Sequence, residues 1–352
     1  MKDTVKYIIG RILFIFLTAF IILSLTYILI QCLPVDETGA NDAVSRLKLY
    51  NQLVRTGVYY EIPRNSPEIL AGNYKKSVEI QGLTYYFGEY PVMVRYFHWL
   101  GNILTRWDWG SSTNISLGKS AVEIIMTRLP YSMRLNLISI LISIPIGIGL
   151  GVLAALKKNT WIDHTISTVV MIFISVPSFV LISFMLIAFG KIPGWPLRWP
   201  SEANAAADPA YAFKAYVIPV AALCFGSICG FARYTRAELT EVMSSEFLLL
   251  ARTKGLTKGQ AVVRHALRNS MVPIVPMIIG EFIGILSGSM VLEQIYGIPG
   301  LGSLFVTALN SKDYAVIMVD SAIYTTIGLF ATLIIDLSYG IVDPRIRMGA
   351  RK

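Results

Sequence analysis

Apolar runs of bilayer length recur six times along this chain, and the polar stretches between them are of two kinds. Ile8 to Cys32, Arg134 to Leu156, Ile166 to Phe189, Tyr216 to Phe231, Val272 to Leu292 and Val316 to Ile335 are predicted transmembrane helices. Each is close to the roughly 20 residues a helix needs to cross the hydrocarbon core. Pro145, Gly147, Gly149 and Gly151 in the second run favour close helix packing and local bending. Ser175-Val176-Pro177-Ser178-Phe179 predicts a kink in the middle of the third. The first run follows Lys2, Lys6 and Arg11 and resembles a signal peptide. It is too long for one and lacks a small-residue cleavage site, so it reads as an anchor helix with its amino end in the cytosol. Arg11 can snorkel to that face.

Six crossings return the chain to the side on which it began. Lys157, Lys158, Arg252, Lys254, Arg345, Arg347 and Lys352 then all face the cytosol, as the bias of short cytosolic loops toward Lys and Arg requires. Gly190 to Lys214 is read as an outer loop.

Residues 35–120 are polar enough to stand in water on the outer side. Ser77 to Ile80, then Gln81-Gly82, then Leu83 to Tyr86 predicts a small β-hairpin. Met93, Tyr96, Phe97, Leu100, Ile103 and Leu104 repeat at helical spacing, with Trp99 and Trp107 nearby, and predict an amphipathic helix at the outer interface. Such an aromatic stripe reads as packing or anchoring, not as a ligand box.

The other kind of polar stretch is basic. From Glu246 to Pro273 the chain carries Arg252, Lys254, Lys258, Arg264 and Arg268 against the single acid Glu246. Helix formers fill both halves and Gly255 and Gly259 interrupt the middle, which predicts helix, sharp turn, helix against the membrane surface. Ala261, Val262, Ala266 and Leu267 give the second helix one apolar face. Charge alone fits a loop held by anionic lipid headgroups.

Composition narrows the class. Of 352 residues, 54% are hydrophobic and 15% charged, against about a quarter charged in soluble domains. The net charge of +9 would suit nucleic acid, but its placement in cytosolic loops argues against that partner. Cys32, Cys224 and Cys229 lie in or beside apolar runs without metal or redox spacing and read as small core residues. His98, His164 and His265 form no motif. No phosphate-cradling G-x-x-x-x-G-K-[ST], H-E-x-x-H or G-x-S-x-G pattern occurs. No catalytic or metal-ligating residue is assigned, and the chain reads as a non-enzyme that acts with partners.

The order of residues in the basic stretch adds more. Ala251-Arg252-Thr253-Lys254-Gly255-Leu256, then Arg264-His265-Ala266-Leu267-Arg268-Asn269 and Pro273, resembles the cytosolic coupling loop of ABC importer permeases. The version is that of the oligopeptide/dipeptide/nickel (OppB/DppB-type) branch. Further matches are Arg95 to Leu100 with Trp107 to Ser112, Arg128-Leu129-Pro130, Leu292 to Gly302, and Tyr339 to Arg345. The resemblance implies an all-α integral membrane fold of six transmembrane helices. The mixed extracytoplasmic insertion after the first is read from the polar stretch itself, and residues 37–90 are longer than that family needs. Residues 1–34 would be the first helix, 35–120 the outer region and 121–352 the permease core, with a coupling loop at about 234–271. It implies a second permease subunit of a different chain, two ATP-binding subunits carrying ATP and Mg, an extracytoplasmic solute-binding protein, membrane lipids and a peptide substrate. The location implied is the bacterial cytoplasmic membrane, with both termini cytosolic.

Roles follow from the same resemblance. Glu246, Ala251, Arg252, Lys254, Gly255, Leu256, Arg264, His265, Leu267 and Arg268 would meet the ATPases. Glu293, Pro299, Gly300 and Gly302 match the outer loop, while Ser175, Pro177 and Glu281 are pathway candidates. Gly255 serves a turn a Cβ would obstruct, or merely caps a helix. Glu281, inside the fifth run, either attracts a peptide amino terminus or a cation, or holds a structural hydrogen bond to a neighbouring Ser or Thr. Asp320 and Asp336 are expected at interfaces. Import of nickel or another small solute by the same machinery is the alternative. A secondary transporter coupled to ions through Glu281 and Asp320, and a scaffold without a pathway, are rivals of other classes.

Overall fold

The computed structural model describes residues 2–33, 40, 42–285 and 289–342, with side chains for all of these except 2–7, 252, 258 and 339–342. The expected cytosolic tail with Arg345, Arg347 and Lys352 lies outside the described residues. The chain falls into two compact units, one of Met1–Leu13, Pro130–Ser303 and Ile327–Lys352, the other of Phe14–Leu129 and Leu304–Thr326.

Helix α1 (Lys2–Gln31) is apolar on nearly every face, and α2 (Ala43–Arg55) begins where the Asp42 carboxylate accepts the Ser45 N–H. Strand β1 (Tyr59–Ile62) and the short helix α3 (Pro67–Leu70) precede the expected hairpin of β2 (Lys76–Ile80) and β3 (Leu83–Glu89). Its turn uses positive φ at Gln81 and Gly82, the signature of a two-residue hairpin loop. The sheet is antiparallel in the order β1-β3-β2. One face packs with α2 around Leu49, Tyr50, Leu53, Tyr59, Val78 and Phe87.

Helix α4 (Val92–Arg106) follows, and here the expected apolar stripe splits. Arg95, Tyr96, Trp99 and Ile103 are buried, while Met93, Phe97 and Leu104 are exposed, as is the nearby Trp107. Tyr27 of α1 stacks on Trp99 with ring centroids 4.4 Å apart and packs near Met318. The stripe is wide enough to serve two surfaces, and Arg95 can be buried because its guanidinium meets Glu89 at 2.7 Å and Gln31 Oε1 at 3.1 Å.

Helix α5 (Ala121–Leu156) starts well before Arg134, so Arg128-Leu129-Pro130 lies inside a helix rather than ahead of one. Helices α6 (Trp161–Ile174) and α7 (Ser178–Phe189) replace the expected kinked third span, and the break between them is 100°. Helix α8 (Glu202–Ala207) and the first turns of α9 (Pro209–Met243) occupy part of the expected outer loop. Asp208 caps α9 by accepting the Tyr211 N–H, and Pro209 suits its first turn.

The basic stretch holds α10 (Glu246–Thr253), then α11 (Lys258–Ala261), a π-helical turn at Val262–Ala266, and α12 (Leu267–Gly284). The expected fifth span is therefore displaced. Its helix runs from Gly259 to Gly284, and Leu292 belongs to a separate helix, α13 (Met290–Tyr296). Pro273 and Pro276 sit inside α12, where a propensity-based boundary would have ended it. Helices α14 (Leu301–Asn310) and α15 (Tyr314–Val342) complete the chain. Among the described residues, five helices are long and apolar enough to cross a membrane, or six crossings if α6 and α7 make one.

Between α5 and α9 the approach is close. A Cβ on Gly147 would lie 2.7 Å from the Phe231 Cβ, and one on Gly151 would lie 2.6 Å from the Thr235 Cβ, whereas Gly149 faces open space. Two of the three glycines thus form the seam. Cys224 and Cys229 are buried as expected, but Cys32 is exposed at the end of α1. Asp336 pairs with Arg11 at 2.9 Å. Asp320 is fully buried rather than interfacial.

Candidate coupling segment and membrane cleft

The basic stretch forms an elbow. Helix α10 ends at Thr253, and the chain turns at Gly255, whose φ of +96° suits glycine. A Cβ there would touch nothing within 4 Å, so the residue serves the turn and not a close approach. Thr257 and Gln260 then exchange hydrogen bonds, the Gln260 N–H to Thr257 Oγ1 at 3.3 Å and the Thr257 N–H to Gln260 Oε1 at 3.2 Å. This capping box, legible as Thr-x-x-Gln, starts α11 and explains why Gly259 lies within a helix instead of interrupting one.

One side of the elbow is packed and the other is open. Leu248, Ala261, Val262 and Ala266 form a buried cluster with Ala155 of α5 and Leu239 of α9. Glu246, Lys254, Gly255, Arg264, His265 and Arg268 are exposed, and Ala251, Leu256 and Leu267 are half-buried. Phe247, Leu249, Leu250 and Val263 add exposed apolar surface beside the charges. The side chain of Arg252 lies outside the described residues.

Glu281 lies on α12 and accepts a hydrogen bond from Ser227 Oγ of α9 at 3.2 Å. It also lines a cleft of about 390 Å³ with Asn136, Ser139, Ser227, Leu223 and Met277. The hydrogen bond to a neighbouring Ser is thus present, and the same carboxylate borders a cleft. The Asn136 amide donates to the Ile285 carbonyl at 2.9 Å. Among the described lining residues the charged group is the Glu281 carboxylate, which can accept hydrogen bonds or attract positive charge. Ser175 and Pro177 are elsewhere, at the break between α6 and α7. Ser175 Oγ donates to the Met171 carbonyl at 2.9 Å and lines a different cleft, between α6 and α9, of about 550 Å³.

The residues expected in an outer loop converge on one buried carboxylate. Glu293 is 2% exposed, and its Oε1 accepts from Ser132 Oγ at 2.7 Å and the Ser289 N–H at 3.2 Å. Its Oε2 accepts from the Ser303 N–H at 3.0 Å. A Cβ on Gly300 would collide with this carboxylate and Ser132 Oγ, and one on Gly302 would lie 2.6 Å from the Met290 nitrogen. Both glycines are there because the loop folds tightly over the acid. Pro299 is half-buried in the same loop. Burial pushes the Glu293 carboxyl above its ordinary range, although Ser132 and the loop N–H groups oppose this.

One pair escaped the sequence reading. Asp163, in the first turn of α6, is completely buried and pairs with Arg236 of α9. The signal was available: each charge sits in an apolar helix, where an ionised side chain requires a partner.

A family model described as "binding-protein-dependent transport system inner membrane component" matches residues 147–348. The dipeptide transport system permease protein DppB of Bacillus subtilis is 30% identical over 350 residues, covering 97% of this chain and 98% of that protein. The oligopeptide transport system permease protein OppB of Escherichia coli K12 is 32% identical over 257 residues, covering 73% of this chain and 81% of that protein. Among solved structures, the inward-facing MetNI methionine ABC transporter aligns with a TM-score of 0.46 at 18% identity, covering 65% of this chain and 98% of that one.

Proposed function

Because this chain belongs to the binding-protein-dependent transport system inner membrane components, as an Opp/Dpp-type ABC permease, we propose that it carries dipeptides or oligopeptides inward across the cytoplasmic membrane. Likeness to a dipeptide permease over nearly the whole of both chains is the observation that carries the substrate class. Two ATP-binding subunits, with ATP and Mg, drive the cycle from the cytosol. A second permease of a different chain stands beside this one, and a solute-binding protein delivers the peptide outside. The chain crosses six times, with α6 and α7 as one broken crossing and both termini in the cytosol. Residues 35–120 lie outside, and the exposed stripe of Met93, Phe97 and Leu104 rests on the outer leaflet.

The elbow at 246–268 is the part that meets the ATPases. It combines what a docked helix needs: exposed apolar residues for a groove, basic residues for its rim, and a rigid seat on α5 and α9. Motion of the ATPases then moves helix ends and not a slack loop. Glu281 faces the route, where its carboxylate favours the amino terminus of a peptide over an anion.

Uptake of labelled di- and oligopeptides, and of nickel, by a strain lacking this gene tests the reading. Peptide uptake should be lost and should return with the gene, only while the partner ATPases hydrolyse ATP. Loss of nickel uptake with peptide uptake intact would replace the substrate. Uptake that persists without ATP hydrolysis would remove the mechanism.

A further inference from the structure

Asp163 is enclosed on all sides. Arg236 forks onto it, with Nε 2.5 Å from Oδ1 and Nη2 2.9 Å from Oδ2. The Asn159 N–H donates to Oδ2 at 3.0 Å, and Ser167 Oγ donates to Oδ1 at 3.3 Å. Asn159 belongs to the turn between α5 and α6 and has a φ of +63°. The carboxylate thus gathers that turn, the start of α6 and the side of α9 at one point. The α5–α9 seam meets the pair at the same level, since a Cβ on Gly151 would lie 2.7 Å from the Ala232 carbonyl and 3.1 Å from the Arg236 nitrogen.

Such a pair is not explained by stability alone. Asp163 is fully desolvated while the Arg236 side chain is 35% exposed, so burying the carboxylate offsets much of the attraction, and an apolar pair of similar size would often hold a fold as well. What the fork adds is a fixed direction, because a guanidinium and a carboxylate meet in one plane. Arg236 is on the same helix as Leu239, which belongs to the cluster that seats the elbow. Asp163 begins α6, which ends at the 100° break beside Ser175 and Pro177. The pair therefore stands between the elbow and the break.

We propose that the Asp163–Arg236 pair is the rigid link that carries displacement of the elbow into α6, so that the chain pivots at Ser175–Pro177 during transport. Both are positioning residues that act through α6, Asp163 from a fully buried position and Arg236 from the wall of the α6–α9 cleft. The inference rests on the reading that the elbow meets the ATPases. It assigns the pair to the coupling of ATP hydrolysis to movement, and not to assembly or binding.

The test uses the full transporter with its ATPases in proteoliposomes. Single truncation would strand a buried charge, so the principal variant is the neutral double change Asp163→Asn with Arg236→Gln. The second is Arg236→Lys, which keeps the charge and loses the fork. Both should retain their ATPases and hydrolyse ATP, while peptide moved per ATP falls about tenfold in the double variant and by less in Arg236→Lys. Unchanged peptide per ATP in an assembled double variant overturns the proposal. So does loss of assembled transporter with a normal ratio in what remains. If the double variant does not assemble, Arg236→Lys decides, and a normal ratio there rejects the link. Failure of the wild-type chain to retain any ATPase would instead remove the reading of the elbow.

Discussion

Ser132 Oγ donates a 2.7 Å hydrogen bond to Oε1 of Glu293, 161 positions along the chain, and accepts the Leu301 N–H at 2.8 Å. One hydroxyl thereby joins α5 to both ends of the glycine-rich loop after α13. Ser132→Ala should leave a buried carboxylate short of a donor and a buried N–H without an acceptor. The expected cost is about 1–3 kcal/mol, read as a lower melting temperature of the purified transporter. An unchanged melting temperature would show that the hydroxyl is not the hub of this loop.

The same acid gives the loop a pH dependence. Burial raises the folded-state pKa of Glu293, so the folded loop holds its proton more tightly than the unfolded chain does. Its contribution is complete below the unfolded value of about 4.3 and declines as pH rises through the folded value. Hydrogen exchange at 289–303 should therefore reveal more opening at neutral pH than at mildly acid pH, beyond the intrinsic change in exchange rate. Glu293→Gln should lack that difference, and a variant that retained it would move the effect to another group.

Gly151 and Gly149 separate packing from helix propensity. Gly151→Ala would press a methyl group onto Thr235 and the Ala232 carbonyl, at about 1–3 kcal/mol. Gly149→Ala meets open space, and should be neutral or favourable by about 0.5–1 kcal/mol. Thermal stability of the two variants in the same detergent checks the contrast. Equal effects would mean that α5 and α9 do not meet along this seam.

Gly255→Val forces a β-branched residue to a φ of +96° at a cost of about 1–3 kcal/mol. Since a Cβ there meets no described atom within 4 Å, abundance in the membrane should stay near normal. Retention of the ATPases, or transport per ATP, should fall. Normal transport with the ATPases attached would exclude the elbow as the coupling element.

Glu281→Gln should keep the Ser227 hydrogen bond, because an amide oxygen still accepts, and remove only the charge from the cleft. Uptake of peptides with a free amino terminus should drop about tenfold, the weight of one hydrogen bond to a charged group, with assembly unchanged. A loss of assembled complex with normal uptake per complex would make the residue structural.

Transmembrane character, the hairpin at 76–89 and the turn at Gly255 follow from local chemistry. About twenty apolar residues can satisfy their backbone in lipid only as a helix. A Gln-Gly pair between strand formers turns the chain back, and glycine among helix formers marks a break. The elbow's buried face was also readable, since Ala261, Val262 and Ala266 repeat at helical spacing whatever they pack against.

Helix ends and long-range pairs were not readable in this way. Hydropathy placed the fifth span at Val272 to Leu292, whereas the Thr257–Gln260 capping box starts the helix well before Val272 and it ends at Gly284. The stripe on α4 gave its period but not its division into a face against Tyr27 and an exposed one. Asp163 and Arg236 are 73 positions apart, and no local pattern says which distant charge answers which. A buried ion must be neutralised within a few ångströms, so its partner is decided only when packing brings α6 and α9 together.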